Sequence, residues 1–167
     1  MISERAPEMM INLDQGVAHL EYSVSYPYPA PAVFAAITDF PAYPWWQPDV
    51  LGIRAAQALP AGLGTQVLEV DTVMGRQTHV TLTVTQYEQD RLLTLATPAG
   101  ARPEVRQAYR LEPTGDGGCH LDFHLQFDDV PKLADHLAKT QLSHQVERFF
   151  DELGAIVAVR PAGTPGW

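Results

Sequence analysis

Residues 20–50 constrain the fold more than any other part of the chain, because they predict a strand, a turn and a helix in immediate succession. Apolar or aromatic residues alternate with polar ones over residues 20–26, which is the period-two pattern of a half-buried strand. Prolines crowd residues 27–31 and end that strand, since proline donates no hydrogen bond to a ladder. A short helix with one apolar stripe is predicted next, and its stripe consists of Val33, Phe34 and Ile37.

An aromatic and proline-rich segment at residues 43–48 follows this helix. It contains the adjacent pair Trp45 and Trp46. Neighbouring residues on a short helix point in different directions, so one indole is expected to enter the core and the other to face a cavity mouth. A simple hydrophobic plug that holds the short helices on the sheet is an equal alternative.

The order of these pieces resembles the opening of the START-like (Bet v 1-like, SRPBCC) superfamily, which includes polyketide cyclase/dehydrase and lipid-transport proteins. The matching residues are 30–34, 37–39 and 43–46. The resemblance implies a helix-grip fold, in which a curved antiparallel sheet wraps around a long C-terminal helix. It also implies a cavity for hydrophobic ligands.

The rest of the chain predicts the same architecture. Alternating residues predict strands near 51–59, 65–74, 78–87, 91–97, 104–112 and 119–127. The glycine-rich residues 114–118 predict a hairpin, and a helical repeat of apolar residues predicts a long C-terminal helix interrupted near Thr140. No alternation of strands with helices is present, so we expect an α+β fold with an antiparallel sheet of about six to seven strands, the long helix, and two short helices after the first strand.

One domain is expected at residues 17–160, with an N-terminal tail at 1–16 and a C-terminal tail at 161–167. Met9, Met10 and Ile11 provide an alternative for the first tail, as an extension of the first strand.

The composition is that of a globular protein, with 46% hydrophobic and 19% charged residues. A net charge of −9 with scattered basic residues makes nucleic acid an unexpected partner and argues against stable docking on anionic membranes. No apolar run reaches the roughly 20 residues that span a bilayer, and the acidic N-terminus does not resemble a secretory signal. The single Cys119 excludes an internal disulfide, so a cytoplasmic location is expected.

A single helix cannot fill a strongly curved sheet, so the resemblance predicts an apolar cavity, with a solid core as the alternative. Alternation places Leu68, Val70 and Met74 on the inner face of their strand and leaves Glu69 and Asp71 on the solvated face. The predicted ligand-binding residues are Tyr22, Trp45, Trp46, Val70, Met74, Leu82, Gln107, Tyr109, Phe123, Phe127, Val146, Phe149, Phe150 and Leu153.

Gln107 and Tyr109 are the polar members of this set, and they either orient a ligand or satisfy each other within the core. The leading hypothesis is binding of a small hydrophobic molecule such as a lipid, an isoprenoid or a polyketide-like compound. A polyketide aromatase/cyclase is one alternative, although Arg106 and Arg110 fall on the face opposite Tyr109 unless a bulge reverses them. A protein-interaction module of the co-chaperone or ribosome-associated type is another.

Three potential metal ligands, His120, Asp122 and His124, alternate along one strand face. Their spacing of roughly 6.5–7 Å per two residues is wide for a single ion, so a solvent-facing position is expected and no metal site is assigned. Cys119 has no neighbouring base in the sequence, and no cofactor motif is present.

Overall fold

Eight antiparallel strands form one sheet in the part of the chain that this computed structural model describes, residues 7–14, 16–42, 50–55, 62–73, 76–128 and 135–159. The strands are β1 (Glu8–Asp14), β2 (Val17–Tyr26), β3 (Val50–Ala55), β4 (Gln66–Val73), β5 (Arg76–Glu88), β6 (Leu92–Ala96), β7 (Val105–Pro113) and β8 (Cys119–Phe127). Their spatial order is β1-β2-β8-β7-β6-β5-β4-β3, so the last strand pairs with the second.

Two helices accompany the sheet in the described ranges, α1 (Ala30–Thr38) and α2 (Asp135–Val159), with a 3₁₀ helix at Phe40–Ala42. A proline lies in the first turn of α1, where a missing N–H costs no helical hydrogen bond. Near its end, the Thr38 hydroxyl donates to the Phe34 carbonyl at 2.8 Å. Helix α2 runs unbroken, so the interruption predicted near Thr140 is wrong.

The helix-grip fold expected from the sequence is confirmed, but the sheet has one more strand than predicted. The predicted tail at 1–16 is wrong for Glu8–Asp14, which form β1 and pair along β2. Met9, Ile11 and Leu13 pack against the core while Met10 is 66% exposed, so this segment obeys the period-two rule of a half-buried strand.

The hairpin between β7 and β8 forms where the glycine-rich residues 114–118 predicted it. The Thr114 N–H donates to the Gly118 carbonyl at 3.0 Å, and Gly117 adopts a φ of 87° that favours glycine. This tight connection aligns β7 with β8 in an unbroken register from Val105↔Phe127 to Pro113↔Cys119. The inner residues of both strands therefore face α2 together.

Candidate ligand-binding site

The concave face of the sheet and the facing side of α2 contain most of the residues that the sequence assigned to ligand binding. Gln107 and Phe149 are half-buried. Fully buried members of the set are Tyr22, Leu82, Tyr109, Phe123, Phe127, Val146, Phe150 and Leu153. Trp45, Trp46 and Met74 lie outside the described residues. The structure thus brings the central residues of the set together, and their contact with a ligand stays a prediction.

Four aromatic rings fill the middle of the concave face. Phe150 of α2 stacks on Tyr22, with ring centroids 5.1 Å apart, and its centroid lies 5.0 Å from that of Phe123. Tyr109 lies 4.9 Å from Phe123, centroid to centroid. These separations are those of packed aromatic pairs, so this central cluster is a solid part of the core.

The C-terminal half of α2 is fixed to β2. The buried Tyr26 hydroxyl donates to the Phe150 carbonyl at 2.7 Å. The absence of a side chain at Gly154 admits the Tyr26 ring, since a Cβ there would lie 3.1 Å from Tyr26 Cε1. The main backbone approaches of α2 are to α1, β1 and β2. The helix therefore packs toward one side of the sheet, away from β3–β5.

Strand β4 turns the opposite face inward from the one that the sequence predicted. Its register pairs Val67 with Leu82 and Glu69 with Val80, and all four side chains are buried. Leu68 is 43% exposed, so its assignment to the inner face is wrong.

The side chain of Val70, the other β4 residue of the predicted ligand-binding set, lies outside the described part of the structure, so its inner-face assignment stays a prediction. Apolar residues occur at both parities of this segment, and alternation alone therefore selected the wrong face. The register between β4 and β5 decides which face of β4 turns inward. Val73 pairs directly with Arg76, and this pairing places each inner residue of β5 opposite a defined residue of β4.

The inner face therefore carries a carboxyl group that sequence reasoning assigned to solvent. Glu69 is only 3% exposed. The short connection between Val73 and Arg76 is the signal that identifies this position. Pairing β4 with β5 across that connection places Glu69 opposite the apolar Val80.

The two polar groups Gln107 and Glu69 lie in the same half of the concave face, beyond the central aromatic cluster. Gln107 pairs with Leu95, which pairs with Val84 on β5. Val84 is thus at the level of Gln107. Leu82 and then Val80 follow it on the same face of β5, and Val80 pairs with Glu69. Within the described residues, no side-chain hydrogen bond reaches the half-buried Gln107 amide. An amide and a carboxyl group thus lie beside the apolar inner residues Leu82, Val84 and Leu95.

Two buried ionisable groups near the cluster stay in their neutral forms at ordinary pH. Burial, reinforced by the carboxylates of Asp151 and Glu147, raises the pKa of Tyr22 to about 12. Burial also raises the pKa of the Cys119 thiol to about 11. Tyr22 is therefore a hydrogen-bond donor, and Cys119 lacks the thiolate character of a nucleophile.

His120, Asp122 and His124 of β8 lie on the convex face, as the sequence predicted. His120 Nε2 lies 3.3 Å from Asp122 Oδ1, which also accepts a 2.5 Å hydrogen bond from the Ser23 hydroxyl. His124 Nδ1 lies 3.6 Å from a carboxylate oxygen of Glu21. No three His, Cys, Asp or Glu side chains of the described residues come together in a way that could hold a metal ion.

Arg106 and Arg110 are exposed on the convex face as well. The pairing of β7 with β6 and β8 contains no register shift, so no bulge turns these arginines inward. They border a shallow groove of about 290 Å³, together with Ala108 and His124. Among the described strand residues, the carboxyl group on the concave face therefore comes from β4, and neither arginine of β7 lies on that face.

Comparison with known proteins agrees with this geometry. Residues 17–158 match the family model described as polyketide cyclase / dehydrase and lipid transport. A START superfamily protein from Mycobacterium smegmatis superimposes with a TM-score of 0.70 at 17% identity, covering 84% of this chain and 97% of that one. The ZhuI aromatase/cyclase from Streptomyces sp. R1128 gives 0.65 at 19% identity, covering 88% and 98%.

A third similar structure is the major latex-like protein 151 of Panax ginseng, with a TM-score of 0.63, 10% identity and coverage of 84% and 97%. No protein of curated function matches the chain by sequence. Neither helix in the described ranges has the length and apolarity needed to cross a membrane. With its family model spanning most of its length, the chain belongs to the polyketide cyclase/dehydrase and lipid transport family.

Proposed function

We propose that this protein binds a small hydrophobic molecule, such as a lipid, an isoprenoid or a polyketide-like compound, between the sheet and α2. The observation that carries the proposal is the half-buried Gln107 amide, which lies between the inner positions Leu95 and Leu125 without a side-chain hydrogen bond to any described residue. An amide in such a place gains most from a ligand carbonyl or hydroxyl group, because a buried polar group without a partner is costly.

The packing of α2 indicates where such a molecule would lie. The central aromatic cluster occupies the middle of the concave face, and α2 approaches β1 and β2 most closely. The inner side chains that the structure describes on these two strands are those of Val67, Glu69, Val80, Leu82 and Val84, and all but Glu69 are apolar. They lie on the side away from these approaches. Ligand sites generally combine such an apolar wall with a few placed polar groups.

Native mass spectrometry of freshly purified protein, followed by denaturing extraction, tests the proposal directly. We expect a copurifying hydrophobic molecule, or an increase in Tm with members of a lipid and aromatic panel. Gln107→Leu should weaken binding of carbonyl-bearing ligands several-fold, which is the effect of one net hydrogen bond. Gln126→Leu, at an exposed position of β8, is the matched control and should leave binding unchanged. An empty protein that no panel member stabilises would refute the proposal.

A cyclase activity on a polyketide is the second candidate, and the inward carboxyl group of Glu69 favours it. General acid–base catalysis requires a proton-transferring group beside the bound substrate, and Glu69 and Tyr109 are both on the concave face. A structural neighbour named as an aromatase/cyclase shares the fold. Incubation with a poly-β-ketone analogue should then give cyclised product, slowed at least tenfold by Glu69→Gln. Equal rates with and without the protein would exclude this candidate.

A further inference from the structure

The convex face of the sheet has a groove of about 290 Å³, with β7 along its middle. There the small Ala108 lies between the exposed Arg106 and Arg110. The two arginines are four residues apart, so their Cα atoms are about 13 Å from each other along the strand. We propose that this convex groove binds a small organic molecule with an anionic group at each end, one held by each arginine. The groove and the proposed hydrophobic site lie on opposite faces of the sheet, so this second site is independent of the first.

Both arginines have unused hydrogen-bonding capacity. Neither Arg106 nor Arg110 forms an ion pair or a side-chain hydrogen bond with any residue of the described ranges. Glu112 lies only two residues from Arg110 on the same strand face and still makes no ion pair with it. A guanidinium group stays protonated in proteins, and its planar fork of N–H donors matches a carboxylate or phosphate group in two parallel hydrogen bonds. Each arginine is thus available to an anionic ligand.

The two carboxylates that line the groove already have partners on the β2–β8 side. The Asp122 carboxylate accepts a hydrogen bond from the Ser23 hydroxyl and lies 3.3 Å from His120 Nε2. A carboxylate oxygen of Glu21 lies 3.6 Å from His124 Nδ1. These contacts hold the negative groups on one side of β7. An anion is therefore expected on the other side, toward β6 and β5.

The β5–β6 side of the groove is neutral and offers a further donor. Its lining residues are Gln86, Leu92 and Thr94. Thr94 is fully buried, and its hydroxyl donates to Gln86 Oε1 at 2.9 Å. This hydrogen bond orients the amide of Gln86, whose N–H₂ group has no acceptor in the part of the chain that the structure describes. The amide can therefore donate to a ligand oxygen, while Leu92 and Ala108 contact the body of the molecule.

Size and charge together define the ligand class. A volume of about 290 Å³ is at the lower limit of small-molecule sites, so a compact molecule fits better than a lipid. A ligand with one anionic group would engage one arginine and leave the other in water, whereas a second linked group gains the second arginine at a high effective concentration. The net charge of −9 repels anions from the surface as a whole, so specific binding should be confined to the groove.

Titration of isotope-labelled protein with matched acids, followed by amide NMR shifts, tests the proposal. Adipate and suberate are compared with hexanoate and octanoate at physiological ionic strength, in a buffer without phosphate. We expect shifts at Ala108 and Thr94, and at least one dicarboxylate that binds about tenfold or more tightly than the monocarboxylate of equal length. Arg106→Gln and Arg110→Gln should each reduce this preference to less than about threefold. Lys139→Gln, at an exposed position of α2, removes the same charge and should retain it.

The outcomes are distinct from those of the hydrophobic-ligand test. Equal dissociation constants for acids of equal length would overturn the proposal, as would the absence of any shift up to about 50 mM ligand. A preference that both arginine variants retain would overturn it as well, because the anion would then bind elsewhere. Both arginines are exposed, so their variants should keep the Tm of the natural protein. A copurifying hydrophobic molecule leaves these expectations unchanged, and each site is therefore tested on its own.

Discussion

Removal of the Tyr26 hydroxyl should destabilise the protein at neutral pH by a predictable amount. In Tyr26→Phe the buried 2.7 Å hydrogen bond to the Phe150 carbonyl is lost. That carbonyl lies within α2 and still accepts the helical hydrogen bond from the N–H four residues further on. The substitution therefore leaves no unsatisfied buried acceptor. We therefore expect a loss of about 1 kcal/mol in the free energy of unfolding at pH 7, the net value of one hydrogen bond. In a chain of this size the corresponding decrease in Tm is about 2–4 °C.

At alkaline pH the order of stability should reverse. Burial, the largest cause, and then the neighbouring Tyr22 raise the pKa of Tyr26 above the value of about 10 that an unfolded tyrosine has. Above pH 10 the unfolded chain loses the Tyr26 hydroxyl proton while the folded protein keeps it. The contribution of this group to the free energy of unfolding is therefore fully present below pH 10 and falls as the pH rises. The loss is about 1.4 kcal/mol per pH unit for this group. Phenylalanine has no such proton, so Tyr26→Phe does not undergo this loss and should become the more stable protein at about pH 11.

Urea unfolding of both proteins at intervals from pH 7 to pH 11.5 measures this difference directly. Other alkaline groups are common to both proteins and cancel in the comparison. Tyr28→Phe, at a half-buried position two residues along, is the control and should change the free energy of unfolding at pH 7 by less than about 0.5 kcal/mol. A Tyr26→Phe curve that stays parallel to that of the natural protein up to pH 11.5 would refute the reasoning.

Two substitutions and one labelling measurement test the packing around Tyr26, Phe150 and Cys119. Gly118→Ala should cost about 1–3 kcal/mol of unfolding free energy in urea, because its Cβ would clash with the Tyr26 backbone carbonyl, whereas Gly115→Ala meets nothing within 4 Å and should be nearly neutral. Phe150→Ala should cost about 3–5 kcal/mol in the same assay through loss of its aromatic contacts. Cys119, whose pKa burial raises to about 11, should react with a thiol reagent at pH 8 more than about a hundredfold slower in the native protein than in urea.

The sequence was sufficient to predict the fold because its local signals agreed with one another. The strand at Cys119–Phe127 was predicted with its observed bounds, since Leu121, Phe123 and Phe127 alternate with polar residues and the preceding hairpin glycines fix its start. The same alternation correctly placed Arg110 and His124 on the convex face. Where apolar residues occupy a single parity, periodicity settles both the element and its orientation.

The orientation of β4 could not be predicted in this way. Val67, Leu68 and Val70 occupy both parities, and hydrophobicity favours neither face. Only the pairing with β5 selects the face that contains Glu69, and register is a tertiary property that a single strand does not encode. Strand β1 was missed for a related reason, because its exposed Met10 weakens the alternation of a segment at the edge of the sheet.

The positions of Tyr26 and Gln107 separate stability from the proposed ligand binding within one face of the sheet. The Tyr26 hydroxyl binds α2 at the Cys119 end of β8, whereas Gln107 pairs with Leu125, six residues further along that strand or about 20 Å away. Substitutions more than about 10 Å apart that share no partner usually act additively. Tyr26→Phe should therefore lower Tm without weakening the binding of a hydrophobic ligand, and Gln107→Leu should weaken that binding equally in either background. Coupling between the two positions would mean that the closure of α2 on β2 also shapes the ligand site.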